Sequence, residues 1–230
     1  MRLHKLVTNS TPSSAGNYSL ELRNCVRIKL HIMIIESKKI IYIHTRKCGG
    51  SSIIQSFGSD ITDWDRYNCG TLSKGIMPDG KDYGDWDDLL KKEHFIFSSI
   101  RNPWDKMVSS YFYSQKGLRI HGCQMTFKDF IISLPNKEQD FNWWIHVTAN
   151  LSEYLYTENG LAPHVILRFE DLTNEYNKMI KEFGLDYNLP HINKSDRPKD
   201  PYQNMYDDEL RKMVADLFEE DIDNFKYTFK

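Results

Sequence analysis

Two short stretches carry residue types and spacings that suit an anion. The first is Lys47-Cys48-Gly49-Gly50-Ser51-Ser52, where an apolar run gives way to helical spacing. Glycines let the backbone approach a ligand closely, a helix N-terminus presents unpaired N–H groups, and serine hydroxyls add donors. Such a loop suits a phosphate, with Lys47 adding a point charge. The second stretch is Arg101-Asn102-Pro103-Trp104-Asp105-Lys106-Met107-Val108-Ser109, in which a guanidinium ends another apolar run and a serine follows eight residues later. Arginine at the carboxyl end of a strand points into the crevice where open α/β sheets bind ligands, and its planar fork matches phosphate.

Each stretch also has a plain structural reading. The first is then a glycine-rich turn with an exposed lysine, and the second an arginine that caps a structural carboxylate. The first is not a Walker loop, because its lysine precedes the glycines and no upstream glycine opens it. That disfavours a nucleoside triphosphatase, and a small-molecule kinase with it. Taken together, an anion loop ending one strand and an Arg…Ser pair ending another would clamp a ligand bearing two separated phosphates.

The elements that must position these residues are legible as βα units. Ile40 to His44 reads as a strand, Thr45 to Gly50 as a loop and Ser51 to Phe57 as a helix. Phe95 to Ile100 reads as a buried strand. Pro103 then suits a first helical position, with Trp104, Met107, Val108, Tyr111 and Phe112 on an apolar face. Val165 to Phe169 reads as a third strand, followed by a Thr173-capped helix ending at Gly184, and a last helix over Asp207 to Phe218. Repeated βα units predict a single P-loop-like α/β domain, a central parallel sheet flanked by helices, over residues 39–230. Residues 1–38 read as a lead-in, partly disordered or a peripheral strand, and the stretch from Asp60 to Lys92 as irregular.

The 230 residues include 30 Lys+Arg against 32 Asp+Glu, a net charge of -2, which argues against nucleic acid or an anionic membrane held by bulk charge. Hydrophobic residues make up 40% and charged residues 27%, which is globular composition. The apolar run from Ile28 to Ile35 is broken by Lys29 and His31 and is far short of the roughly 20 residues that cross a bilayer. No signal-peptide pattern precedes it, and Cys25, Cys48, Cys69 and Cys123 show no metal-ligand spacing. A reducing, cytoplasmic setting without membrane anchor, metal or disulfide framework is expected.

With both stretches read, the chain resembles the sulfotransferases that use 3′-phosphoadenosine 5′-phosphosulfate (PAPS), in particular their carbohydrate-sulfotransferase-like branch. Tyr42 to Ile53 looks like the 5′-phosphosulfate loop, and Ile100 to Tyr111 like the 3′-phosphate motif. Leu167-Arg168-Phe169-Glu170-Asp171-Leu172 resembles the family's strand-to-helix segment, and Leu189 to Phe229 its C-terminal ending. One departure is Arg46, where the family commonly has proline.

The resemblance implies a sulfotransferase that moves the sulfuryl group of PAPS to a hydroxyl, a saccharide by the branch it resembles, leaving adenosine 3′,5′-bisphosphate (PAP). Lys47 would stabilise the leaving phosphate. Arg46, Lys47, Cys48, Gly49, Gly50, Ser51 and Ser52 would cradle the 5′-phosphate, and Arg101 with Ser109 the 3′-phosphate, with no metal. The alternative is a silent PAP-binding module of the same fold. The family's general base is a His or Glu. The candidates are Asp63, Asp65 and His94, among further carboxylates (Asp60, Asp79, Asp82, Asp85, Asp87, Asp88, Glu93), and none fits a family pattern. His121 and His146, with Phe141, Trp143 and Trp144, fall where acceptor-binding elements would be inserted.

Overall fold

The computed structural model describes residues 28–61, 63–69, 93–120, 125–134, 149–157, 160–192, 197–198 and 200–230. The expectations for 70–92, His121, His146 and the aromatic group Phe141, Trp143 and Trp144 lie outside them.

Strands β1 (Ile28–Ile35), β2 (Ile40–His44), β3 (Asp63–Cys69) and β4 (Phe95–Ile100) precede a short hairpin of β5 (Tyr156–Thr157) and β6 (Gly160–Leu161), and β7 (Val165–Arg168) follows. The main sheet has the order β3-β1-β2-β4-β7. Its parallel part is β2, β4 and β7, while β1 runs antiparallel to both β2 and β3. The helices are α1 (Gly50–Phe57), α2 (Pro103–Ile120), α3 (Phe127–Ser133), α4 (Ser152–Leu155), α5 (Leu172–Glu182), α6 (Asp208–Leu217) and α7 (Glu219–Phe225). This is a mixed α/β fold with a central, mostly parallel sheet flanked by helices.

The parallel strands read as continuous apolar runs because both of their faces are covered. Along β2, Ile40 and Tyr42 join one core with Ile53 and Phe57 of α1 and Tyr176, Met179 and Ile180 of α5. Ile41 and Ile43 point the other way, into a core shared with Leu151 and Leu155 around α4 and with Phe225. A third core joins Trp104, Met107 and Val108 of α2 to Phe130 of α3 and to Leu210 and Val214 of α6. The strand-loop-helix order predicted for the three units is the one observed.

Three local expectations differ from what is found. Ile28–Ile35, expected at most as a peripheral strand, lies inside the sheet, because Asp63–Cys69 pairs along its outer side. The first part of the stretch read as irregular is therefore that strand. Thr173 does not cap α5. A 3-10 turn over Phe169–Asp171 leads into a helix that already begins at Leu172, with Asp171 at the cap position. The helix expected last, over Asp207 to Phe218, is α6, capped by Asp207, whose Oδ1 accepts from the Leu210 N–H at 2.8 Å, and α7 follows it.

Candidate functional site

The carboxyl ends of β2, β4 and β7 lie side by side, and each leads directly into one of the three chemistry-bearing stretches. The ends of β2 and β4 are fixed by hydroxyl groups within the sheet. The Tyr42 hydroxyl lies 2.8 Å from Ser99 Oγ, Ser98 Oγ donates to the Ile43 carbonyl at 2.8 Å, and Thr45 Oγ1 donates to the Ser99 carbonyl.

Beyond Thr45 the chain turns sharply through two left-handed positions, Lys47 at φ 64° and Gly49 at φ 84°. Left-handed backbone is uncommon for a side-chain-bearing residue and sets the direction in which Lys47 leaves the loop. Gly49 is the cap position of α1, and among the described residues no side chain caps that helix, while the Ser52 N–H is already taken by the Gly49 carbonyl at 3.0 Å. Both glycines are also required by packing. A Cβ on Gly49 would overlap Leu172 and press on Phe169, and one on Gly50 would overlap the His44 ring. Cys48, between the two turns, faces the core, and its Sγ donates to the Arg46 carbonyl at 3.2 Å. Burial pushes its thiol up to about 11. Cys48 can therefore meet a ligand only through its backbone. Arg46, Lys47 and Ser52 are half-buried and Ser51 is exposed.

Arg101 is only 4% exposed. Its Nε and Nη2 both reach Asp105 Oδ2 at 2.8 Å, one helical turn on, and Nη1 donates to the Lys47 carbonyl at 2.9 Å. Asp105 Oδ1 takes Arg197 as a second partner. The guanidinium plane stacks on Phe169, 3.8 Å from the ring centroid. Three of five guanidinium N–H groups are thereby engaged, which leaves, among the described residues, one on each terminal nitrogen. The reading in which Arg101 pairs with a structural carboxylate is correct as far as it goes, and Asp105 is that carboxylate.

The third stretch joins the other two. Phe169 touches both Arg101 and the Gly49 position. Glu170 Oε1 accepts from the Asn102 N–H at 2.7 Å, while Asn102 Oδ1 accepts from the Trp104 N–H at 3.1 Å at the start of α2. The C-terminal tail ties in across the same strand ends. Asn102 Nδ2 donates to the Thr228 carbonyl at 2.9 Å and Arg168 Nη2 to the Phe225 carbonyl at 2.8 Å.

Helix α2 carries Ser109 and brings Tyr113 beside the first loop. Ser109 is buried, and the Lys47 ammonium sits 4.1 Å from the Tyr113 ring centroid. Lys106, one residue past Asp105, points into the core instead. Its Nζ donates to the Ala149 carbonyl at 3.0 Å and lies over the Phe218 ring at 4.6 Å.

Of the base candidates, His94 lies at the opposite end of the sheet. It precedes Phe95, which pairs with Ile40 at the start of β2. The six residues of β4, at about 3.3 Å each, separate it from Arg101. Asp63 and Asp65 sit on β3, which β1 separates from β2; Asp63 is level with Ile41 through Ile34, and Asp65 with Ile43, near the carboxyl end of β2, through Ile32. The site residues that sequence reasoning missed are Asp105, Phe169, Tyr113 and Arg197. The four-residue spacing from Arg101 to Asp105 was a readable signal, whereas Arg197 reaches Asp105 only through the tertiary fold.

Comparison with curated proteins finds no match. Among solved structures, a sulfotransferase from Alicyclobacillus acidocaldarius is similar at 15% identity and a TM-score of 0.35, over 58% of this chain and 53% of its own. The model of the sulfotransferase family matches residues 30–228, nearly the whole described chain and all three stretches that meet at the strand ends. The chain belongs to the sulfotransferase family.

Proposed function

We propose that the chain transfers the sulfuryl group of PAPS to a hydroxyl of a small-molecule or glycan acceptor, a saccharide by preference, in a cytoplasmic setting. Family membership supports sulfuryl transfer in general. The observation that carries the donor's identity is the Arg101 guanidinium bound to the Lys47 carbonyl at 2.9 Å, which fixes two anion-seeking groups relative to each other. A donor with phosphates at both its 3′ and 5′ positions needs that pairing.

In this reading Arg101 offers its two remaining N–H groups to the 3′-phosphate, and Ser109, two turns along α2, offers its hydroxyl. The uncapped start of α1, with the backbone of Cys48, Gly49 and Gly50 and the hydroxyls of Ser51 and Ser52, receives the 5′-phosphate, and Arg46 adds charge at the loop's edge. Sulfuryl transfer builds negative charge on the leaving phosphate oxygen, so the largest contribution a protein makes is preorganised positive charge at that oxygen. Lys47 supplies it. Burial of Arg101 with its carboxylate and ring partners means that little reorganisation accompanies binding.

Calorimetry with PAP tests the donor assignment. Tight PAP binding, weaker binding of adenosine 5′-diphosphate and loss of PAP binding in Arg101→Ala are expected. Magnesium-dependent turnover of ATP would contradict the assignment. PAP binding without sulfate transfer to any hydroxyl acceptor would leave the silent nucleotide-binding module.

A further inference from the structure

Asp105, Ser109 and Tyr113 recur every four residues along α2, so they follow one face of the helix with a drift of about 40° per step. Asp105 and Ser109 are buried, whereas Tyr113 is 59% exposed, so this face leaves the protein interior at its third residue. The neighbouring Tyr111 and Phe112 pack against the core that α2 shares with α3 and α6, and Tyr113 stands outside it. What its ring meets is Lys47, whose ammonium lies 4.1 Å from the centroid. Lys47 also gives this face of α2 a direction. Its carbonyl is held by Arg101 at 2.9 Å and its side chain ends beside Tyr113, one turn past Ser109. A donor with its 3′-phosphate at Arg101 and Ser109 therefore has its sulfuryl group at the Tyr113 end.

We propose that the open side of the Tyr113 ring belongs to the acceptor site and takes the C–H face of a saccharide. This rests on the reading of Lys47 as the group at the leaving phosphate oxygen. An ammonium contacts such an oxygen at about 2.8 Å, and an attacking hydroxyl waits about 3–3.5 Å from the sulfur on its far side. The attacking oxygen then stands within about 12 Å of the ring, the reach of an acceptor of two sugar rings. The ammonium covers one face of Tyr113, so an exposure of 59% leaves the opposite face and the edge to water. A pyranose suits that surface. Its C–H bonds form an apolar patch of slight positive charge that meets the negative face of an aromatic ring, while its hydroxyls stay in water or reach the phenol oxygen. Tyrosine offers this area with only two side-chain torsions to fix. A lipid chain or a lone phenol gains its affinity from an enclosed apolar pocket, and a ring this open encloses neither.

Two measurements on the full-length protein test this. The first is saturation-transfer spectroscopy with PAP present and methyl glucoside, methyl galactoside and methyl N-acetylglucosaminide as probes. At least one saccharide should show contact through its C–H face, and that contact should vanish in Tyr113→Ala and persist in Tyr113→Trp. The second uses that saccharide as acceptor for sulfate from PAPS. Its KM should rise about fivefold in Tyr113→Ala and about twofold in Tyr113→Phe, while the KM for PAPS moves by less than about twofold. No saccharide contact in the wild type, or contact that Tyr113→Ala leaves intact, would overturn the inference whatever becomes of transfer. Loss of kcat in Tyr113→Ala at unchanged acceptor KM would also overturn it, because the ring would then serve the lysine and not the acceptor. Saccharide contact that depends on Tyr113, without transfer from PAPS to any hydroxyl, would overturn the sulfuryl-transfer reading and leave the contact standing.

Discussion

The Arg101 guanidinium donates through Nη1 to the carbonyl of Lys47, joining at 2.9 Å two loops that are 54 residues apart in sequence. The bond fixes the side chain that would hold one phosphate to the backbone that presents the charge for the other. Asp105 and Phe169 complete the enclosure, one by charge and the other by stacking.

Removing the charge from Asp105 should therefore affect both stability and binding. Asp105→Asn leaves the buried Arg101 without its counter-ion and releases Arg197, and breaking a buried pair of this kind costs about 3 kcal/mol. Urea denaturation should show a loss of that size, and PAP affinity should fall about tenfold or more. Replacing both partners, as Arg101→Met with Asp105→Leu, should restore much of the stability but none of the binding.

Gly50→Ala tests the packing at the start of α1. The new methyl group would overlap the His44 ring, and overpacking of a tight site costs about 1–3 kcal/mol. Thermal denaturation should show that loss, and adding His44→Ala should reverse part of it. A loss that His44→Ala leaves unchanged would place the cost elsewhere.

Cys48 should be chemically silent in the native protein. Its thiol stands at about 11 rather than 9.0 because it is desolvated, and the thiolate is the reactive form. Peptide mapping after iodoacetamide treatment at pH 8 should find Cys48 unmodified until denaturant is added. Rapid native alkylation would show that the loop opens at this point.

Lys106 gives the clearest pH dependence. Desolvation lowers its pKa below 10.5, against the pull of the Asp221 carboxylate. Between the lowered value and 10.5 the unfolded chain holds a proton that the native chain has released, so the lysine's contribution to stability rises with pH across that window. The stability difference between wild type and Lys106→Met should shift toward the wild type as pH increases from neutrality. A difference that stays flat would contradict the shift.

The parallel half of the sheet and the anion-seeking residues were legible in the sequence for a shared physical reason. Strands buried on both faces are near-continuous apolar runs, as Ile40–Ile43 is and Phe95–Ile100 is apart from Ser98 and Ser99, and the residues ending them have little freedom in direction. The antiparallel half was hidden because Lys29 and His31 interrupt β1 and because polar, acidic Asp63–Cys69 resembles a loop until β1 is beside it. Asp105 could be read from its four-residue spacing to Arg101. Phe169 sat in a motif whose apolar residue looked like core, and its contact with Arg101 depends on β7 pairing with β4.

The most direct test is transfer of labelled sulfate from PAPS to a panel of saccharide, phenol and lipid hydroxyls, with wild type and Lys47→Ala compared at saturating donor. Wild type should label at least one acceptor, saccharides foremost. Lys47→Ala should lose about a hundredfold or more in kcat, the scale on which a charge-stabilising donor contributes, while still binding PAP. Labelling by Lys47→Ala at the wild-type rate would contradict the role given to this lysine, and failure of the wild type to label any hydroxyl would contradict PAPS-dependent sulfuryl transfer itself.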